Sequence, residues 1–256
     1  MPTALITGGS VGIGAAFASS LAARGDDLVL VARDTRRLEE AAESLRRRHG
    51  ILVDALVADL SDRDEVQRVA DRVADPTRPI DLLVNNAGFG VSTRLTDPDL
   101  SQIERGLDVM CRAVLVLGGA AGAAMRERGH GAIVNVSSVA GFATMGGYSA
   151  IKAWVTSYTE GLATELSGTG VTATALCPGF VHTEFHQRAR INMSKFPDIG
   201  WVDADEVVAT CLRDVARGRV VSIPTRRYRA LTVLARHAPR FLVRRASGAV
   251  SRARHH

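Results

Sequence analysis

Lysine is nearly absent from this chain, and cysteine and aromatic residues are also scarce. Only two of the 32 basic residues are lysines, Lys152 and Lys195. A retained lysine therefore invites a chemical explanation, because an ammonium is a compact charge and a guanidinium a planar fork. The three cysteines, Cys111, Cys177 and Cys211, lie far apart with no C-x-x-C pair. This pattern argues against a zinc site and a disulfide framework, so we expect no metal and buried, reduced thiols.

Long apolar runs are missing as well. The longest, near 114–125, is rich in Ala, Gly and Val and falls short of the about 18 residues that span a bilayer. The first residues run directly into glycines without the pattern of a secretory leader, so we expect a cytoplasmic protein. The formal net charge of +5 is uneven: nine Arg and no Asp or Glu follow residue 223, which leaves 5 − 9 = −4 for residues 1–223.

The 256 residues, 46% of them apolar, suit one α/β domain with a sizeable core. Short β-branched and Leu-rich runs alternate with segments of helical period, which is typical of βαβ units in a parallel sheet. The predicted strands are 4–7, 28–31, 52–57, 82–84, 132–136, 171–176 and 220–223. The predicted helices are 13–23, 35–48, 64–73, 101–126, 149–166 and 204–217. Ligands bind beyond the carboxyl ends of such strands.

The loop after the first strand is rich in glycine and opens a helix. Its free N–H groups and positive helix end suit a pyrophosphate, and a Cβ would block the approach. A purely structural glycine turn would look the same. The spacing, T-G-x-x-x-G-x-G, resembles the short-chain dehydrogenase/reductase family. The resemblance assigns cofactor contacts to Gly8, Ser10, Gly12, Ile13 and Gly14.

This resemblance covers about residues 3–224 and implies a fold. We expect a single domain with a Rossmann-type, doubly wound parallel sheet of about seven strands. Residues 1–224 would form the NAD(P)-binding catalytic domain, and 225–256 a basic amphipathic C-terminal extension.

The end of the second strand bears on the choice of cofactor. Ala32 stands where an NAD-binding acid is expected, and Arg33 follows it. An Arg fork binds a phosphate bidentately, which favours NADP. Arg33 could instead be an ordinary surface residue, and a slightly displaced Asp34 would favour NAD.

Two further loops match the family. Asp59 and Leu60 are similar to its adenine-contacting pair. The family's N-N-A-G follows the fourth strand and here includes Asn86, Ala87 and Gly88, whose small side chains let the backbone lie against the cofactor.

The predicted chemistry follows the fifth strand. Tyr148 and Lys152 are four residues apart and hence on one helix face. A free phenol, with a pKa of about 10, is a poor base at neutral pH, and a neighbouring ammonium favours the phenolate. In the family the Tyr is the acid/base, the Ser orients the substrate oxygen and the Lys also holds the nicotinamide ribose. Ser138 matches the serine, with Ser137 as the runner-up because the interval from Ser138 to Tyr148 is short.

The segment after the sixth strand resembles the family's P-G-x-V-x-T, which closes over the nicotinamide carboxamide. It assigns Pro178, Gly179, Val181 and Thr183 to the cofactor, and 187–200 has the composition of a lid. His182 is expected to be idle.

One family position departs from the pattern. Many members carry an Asn that supports a proton-relaying water, and this chain has Met110 there. Met is at most a weak acceptor. We expect retained activity because Ser138, Tyr148 and Lys152 survive, with a slow, cofactor-binding sensor as the alternative.

The resemblance further implies a carbonyl or alcohol substrate and a homodimer or homotetramer formed through the long helices. Apolar loop residues favour an apolar substrate: Phe89, Phe142, Met145 and Phe185. In the C-terminal segment, apolar residues recur at helical spacing: Leu231, Leu234, Ala235, Ala238 and Leu242. This basic segment could pack by the lid, lie on an anionic membrane or attract an acidic substrate. Nucleic acid is not expected because no aromatic platform accompanies the arginines, and Pro239 should kink the segment.

Overall fold

Seven parallel strands form the central sheet of the computed structural model, which describes residues 1–182, 201–239, 241–245 and 247–248. The strands are β1 (Thr3–Thr7), β2 (Asp27–Ala32), β3 (Val53–Val57), β4 (Leu82–Asn85), β5 (Gly131–Val136), β6 (Val171–Leu176) and β9 (Val221–Ser222). Their order is β3-β2-β1-β4-β5-β6-β9. Strand β4 lies beside β1 on the side opposite to β2, so the order of the strands reverses between β1 and β4, and the ligand crevice of a doubly wound sheet opens there.

Helices cover both faces of this sheet. They are α1 (Gly12–Ala22), α2 (Thr35–His49), α3 (Arg63–Ala74), α4 (Ser101–Leu107), α5 (Ala113–Arg128), α6 (Gly147–Glu165), α7 (Ala204–Ala216) and α8 (Arg226–His237). A π-helical turn, Asp108–Arg112, joins α4 to α5, and a 3-10 turn, Val139–Phe142, precedes α6. A small parallel pair, β7 (Phe180–Val181) and β8 (Trp201–Val202), was not predicted.

The core lies in two layers because successive strand residues point to opposite faces. Leu5 and Ile6 are both fully buried, Leu5 on the face covered by α3, α5 and α6, and Ile6 on the face covered by α1 and α7. Burial on both faces explains why the strands are almost continuously apolar. The single α/β domain with seven parallel strands is therefore as predicted.

The continuous helical stretch Ser101–Arg128 agrees within two residues with the predicted helix at 101–126, but it contains an apolar window of 18 residues that the sequence analysis did not expect. By length and composition alone it could cross a membrane. Half of its apolar window is nevertheless buried inside the domain, where α5 packs against α3. The core helix of a soluble protein passes the same test, so this stretch is weak support for a membrane span.

The C-terminal segment is helical, as its spacing predicts, and Pro239 interrupts it. Helix α8 ends at His237, and a helical turn resumes at 241–245. The apolar residues at helical spacing do not form the packed face, because Leu231, Leu234 and Leu242 are exposed. The packed face instead contains Tyr228, which is half-buried, and Thr232, which is buried and lies four residues further on.

Candidate active site

The glycine-rich loop joins β1 to α1 at the switch point of the sheet. Gly8 and Gly12 have φ of 67° and 56°, values that favour glycine. A Cβ on Gly14 would overlap the carbonyl oxygen of Gly8, so only glycine allows this close approach. Val11, at the N-cap of α1, offers no side-chain cap, and the first turn contains no acid. The free N–H groups and the positive end of α1 thus fit an anion such as a dinucleotide's diphosphate.

The N-N-A-G loop is hydrogen-bonded to this glycine loop. The side-chain amide of Asn86 donates to the carbonyls of Thr7 and Gly8 at 2.9 and 3.2 Å. The backbone N–H groups of Asn86 and Ala87 donate to Thr7 Oγ1 at 2.9 and 3.0 Å. These hydrogen bonds join the glycine loop and the N-N-A-G loop into one surface. The sequence analysis had assigned the two loops to the cofactor separately.

Substituting Gly14 tests whether this cradle binds the cofactor. We expect Gly14→Ala to weaken NADPH binding strongly and to lower the free energy of unfolding by about 1–3 kcal/mol, since the Cβ overlaps backbone. The matched control is Gly119→Ala on α5, where a Cβ meets nothing within 4 Å. There the change should stabilise the helix by up to about 1 kcal/mol and leave binding intact. Fluorescence titration and urea unfolding measure both, and normal NADPH affinity in Gly14→Ala would contradict the assignment.

The carboxyl ends of β2 and β3 place Arg33 beside Asp59. Arg33 Nη1 lies 3.8 Å from Asp59 Oδ2, and Arg105 Nη2 lies 3.0 Å from the same oxygen. Burial raises the pKa of Asp59, but hydrogen bonds from Ser61 and the charges of Arg33 and Arg105 outweigh it and hold that pKa below its usual value. Asp59 is therefore an anion flanked by two guanidinium groups.

Asp34 has a structural role that the sequence analysis did not assign. Its carboxylate caps α2 by accepting a hydrogen bond from the backbone N–H of Arg37 at 3.0 Å. The Arg37 guanidinium also lies 3.5 Å from it. The carboxylate that would bind the ribose hydroxyls of NAD is thus already bound to the start of α2.

Tyr148 and Lys152 lie together on the first turns of α6. Lys152 Nζ is 5.7 Å from the centre of the Tyr148 ring. The ammonium donates a hydrogen bond to the carbonyl of Val136, the last residue of β5, at 2.8 Å. Tyr148 is half-buried, whereas Lys152 is buried. The pair can present a phenol to a ligand with a cation behind it.

Burial controls the charge of Lys152. It lowers the pKa of that ammonium to about 8, partly opposed by the thiols of Cys111 and Cys177. Both thiols are free and buried, and burial raises the pKa of each to about 11. Cys211 is also free and buried, as expected for all three.

The two candidate serines differ in what they bind. The Ser137 hydroxyl is buried and donates to the carbonyl of Lys152 at 2.7 Å, with Thr156 Oγ1 also at 2.7 Å. Ser138 is half-buried, and its hydroxyl accepts a bond from Ala140 N–H at 3.1 Å. Ser138 thus retains the more accessible hydroxyl.

The family model for short chain dehydrogenases matches residues 2–194. The chain belongs to this family. An uncharacterized oxidoreductase from Staphylococcus saprophyticus is 36% identical over 185 residues, which cover 70% of this chain and 78% of that relative.

Two solved structures support the same assignment. A short-chain dehydrogenase from Sphingobium yanoikuyae in complex with NADPH is 39% identical with a TM-score of 0.83, covering 90% of this chain and 92% of that one. A bulky-bulky ketone specific alcohol dehydrogenase from Comamonas testosteroni is 34% identical with a TM-score of 0.79, covering 90% of each chain. This short-chain dehydrogenase is therefore an NAD(P)-dependent oxidoreductase.

In this short-chain dehydrogenase, the predicted P-G-x-V segment follows β6. Pro178 accepts a backbone hydrogen bond from Val139, and Val181 is buried in β7. A Cβ on Gly179 would overlap the ring of Tyr228 on α8, so the C-terminal helix packs directly on this loop. Thr183, Phe185 and the predicted lid 187–200 lie outside the described residues.

Met110 occupies the π-helical turn and is buried. Its Sδ would be 3.0 Å from a Cβ on Gly88, so the thioether packs against the N-N-A-G loop. The usual amide is thus replaced by an apolar group within the domain.

A buried polar chain that sequence reasoning missed connects α6 to the sheet. Asn85 Nδ2 donates to Asn135 Oδ1 at 2.9 Å, and Asn135 Nδ2 donates to Thr159 Oγ1 at 3.0 Å. A buried amide pair of this kind specifies geometry because each unmade bond is costly. An Asn inside the apolar strand β5 was the signal that could have revealed it.

Proposed function

We propose that this dehydrogenase reduces an apolar ketone or aldehyde with NADPH. The observation that carries the proposal is the juxtaposition of Tyr148 and the buried ammonium of Lys152, 5.7 Å from the ring centre. When bound, the cofactor supplies a hydride to the carbonyl carbon. Tyr148 then donates the proton that the developing alkoxide requires.

The other residues orient this proton transfer. The Ser138 hydroxyl would donate a hydrogen bond to the substrate oxygen and hold it towards Tyr148. Lys152 keeps a positive charge behind the phenol, which favours the phenolate left after proton donation. The same ammonium would contact the nicotinamide ribose.

We infer NADP rather than NAD from the end of β2. Asp34 is engaged in capping α2, whereas the Arg33 side chain is 57% exposed and its ion pair with Asp59 is long, at 3.8 Å. An ion pair with this exposure and this N···O distance contributes little to stability. Arg33 is therefore able to rotate towards a 2′-phosphate and form a charge-assisted fork.

Arg33→Ala should raise the KM for NADPH about 10–100-fold, the value of one charge-assisted phosphate contact of about 1.5–3 kcal/mol. The KM for NADH should hardly change, because NADH lacks this phosphate. Arg36→Ala is the matched control, since Arg36 is also exposed but pairs with Glu40 on α2. Steady-state kinetics with both cofactors decide, and equal losses for NADH and NADPH would refute a phosphate contact.

Apolar loop residues support an apolar substrate. Phe89, Phe142 and Met145 are half-buried around the loops that precede α4 and α6. A related structure is described as specific for bulky ketones. A panel of aliphatic, aromatic and bulky ketones, followed by NADPH absorbance, tests this, and turnover of polar aldehydes alone would contradict it.

Met110 supports a second candidate, a cofactor-binding sensor with little turnover. Its apolar side chain replaces the amide that usually supports a relay water. If the wild-type chain binds NADPH without reducing any carbonyl and Met110→Asn acquires turnover, the sensor is favoured. Turnover by the wild-type chain excludes it.

The remaining proposals concern assembly and location. Exposed apolar residues on the long helices, among them Leu115 and Trp154, suit a homodimer or homotetramer. We also propose a cytoplasmic location, and we keep residues 1–224 as the catalytic domain with 225–256 as its extension. Light scattering would test the assembly.

A further inference from the structure

The described part of the C-terminal extension exposes a row of large apolar side chains. We call it the apolar stripe: Leu231, Val233, Leu234, Phe241 and Leu242. Their exposed fractions are 59%, 52%, 66%, 61% and 47%. Exposed leucines are ordinary when single, but five exposed large apolar side chains within residues 231–242 mark an interaction surface.

The opposite face of this segment is fixed to the domain, so the stripe is held outward. The Tyr228 hydroxyl accepts a hydrogen bond from Phe180 N–H at 3.3 Å. The Arg236 guanidinium lies 4.9 Å from the centre of the Phe142 ring and bonds Glu160 at 2.8 Å. Ser247 is buried and accepts from Thr144 N–H at 3.1 Å. These contacts leave the leucines no partner among the described residues that would cover them.

Positive charge surrounds the stripe. Exposed arginines flank it at both ends: Arg226, Arg229, Arg244 and Arg245. A surface cleft between α7 and the start of α8 adds Arg213, Arg217 and Arg219 and contains two acids, Glu206 and Asp214. Asp214 is buried, accepts a hydrogen bond from Ser222 and pairs with Arg219 at 3.4 Å, so Arg213 and Arg217 are the arginines that add charge to this cleft. Residues 224–256 contain no acid at all.

We propose that the apolar stripe docks on the surface of an anionic lipid bilayer. Exposed leucines between arginines match both requirements of an interfacial helix, apolar burial and attraction to acidic headgroups. A second copy of the same face would bring arginines against arginines, which is repulsive. A nucleic acid would not bury exposed leucines. Residues 1–223 have a net charge of −4, so an anionic bilayer would not attract them.

Docking in this orientation would set the site mouth near the bilayer. The same segment contacts Gly179 and Phe142, which border the proposed site. Apolar carbonyls partition into lipid, so the substrate class would be membrane-dissolved ketones or aldehydes. This step rests on the proposed function, whereas the docking itself does not.

Vesicle co-sedimentation of the full chain tests the docking without reference to catalysis. The chain should bind phosphatidylcholine vesicles containing phosphatidylglycerol, bind pure phosphatidylcholine at least about tenfold more weakly, and dissociate as salt rises. Leu231→Ser/Leu234→Ser and Arg244→Glu/Arg245→Glu should each weaken binding at least about tenfold. Leu52→Ser, at an exposed leucine just before β3, is the matched control and should bind normally.

The outcomes separate the possible occupants. No sedimentation with anionic vesicles, or binding that none of the stripe variants weakens, overturns the proposal. A change from dimer to monomer in Leu231→Ser/Leu234→Ser, with lipid binding absent throughout, would assign the stripe to a second copy instead. If vesicles bind but no carbonyl is reduced, the docking stands and the proposed function fails.

Discussion

Tyr148→Phe should reduce kcat for carbonyl reduction by about 10³-fold, within the range that a positioned general acid contributes. The substitution removes one hydroxyl and retains the half-buried ring, so the fold and the NADPH affinity should persist. Lys152 keeps its hydrogen bond to Val136, because that bond does not involve the phenol. Stopped-flow or steady-state measurement of NADPH oxidation at saturating substrate gives the loss directly.

Tyr158→Phe is the matched control for this prediction. Tyr158 lies on the same helix, but its hydroxyl donates to the carbonyl of Leu115 at 3.3 Å and its ring stacks on Trp154 at 5.0 Å. Its loss should cost about 1 kcal/mol of stability and change kcat less than about twofold. Comparable kcat losses for both tyrosines would show that Tyr148 has no special role.

Lys152→Met should abolish most of the activity and at the same time stabilise the apoprotein. Burial lowers the pKa of Lys152 from 10.5 to about 8. The buried charge therefore costs the folded state about 3 kcal/mol at neutral pH. Methionine removes that cost but leaves the Val136 carbonyl without its donor, at about 1 kcal/mol. We expect a net gain of about 2 kcal/mol in the free energy of unfolding, with kcat at least about 10²-fold lower.

The pH dependence of this gain distinguishes charge burial from better packing. Below pH about 8 both folded and unfolded Lys152 are protonated, so the wild-type penalty is complete. Between about 8 and 10.5 the folded lysine has lost its proton while the unfolded one still keeps it, so wild-type stability rises relative to Lys152→Met. Urea unfolding at pH 7 and pH 10 should show the difference shrinking. A difference independent of pH would contradict the buried ammonium.

Periodicity predicted most of the fold because each strand is buried on both faces. Val171–Leu176 was predicted to the residue, and the other sheet strands lie within a residue or two of their predicted bounds. Glycine spacing was equally informative, because Gly14 meets the backbone of Gly8 and tolerates no other residue. Local sequence determines such features, so they can be read without tertiary contacts.

The features that escaped prediction depend on contacts between distant segments. The Asn85–Asn135–Thr159 chain joins two strands to α6, and the pairing of β7 with β8 spans residues 180 and 201. Helical spacing identified α8 but not its packed face, since Tyr228 had to meet Gly179 for that choice to be made. The α2 cap at Asp34 is a local feature, an Asp directly before a helix, and it argues against the NAD alternative.

Deuterium transfer from the cofactor tests the central claim most directly. NADPH carrying deuterium at the transferable C4 position is incubated with the chain and a bulky apolar ketone, and the alcohol is analysed by mass spectrometry. Hydride transfer assisted by Tyr148 predicts an alcohol with one deuterium on the carbinol carbon, formed by the wild-type chain and by Tyr158→Phe but almost not at all by Tyr148→Phe. An unlabelled alcohol, or labelled alcohol formed equally fast without the Tyr148 hydroxyl, would contradict it.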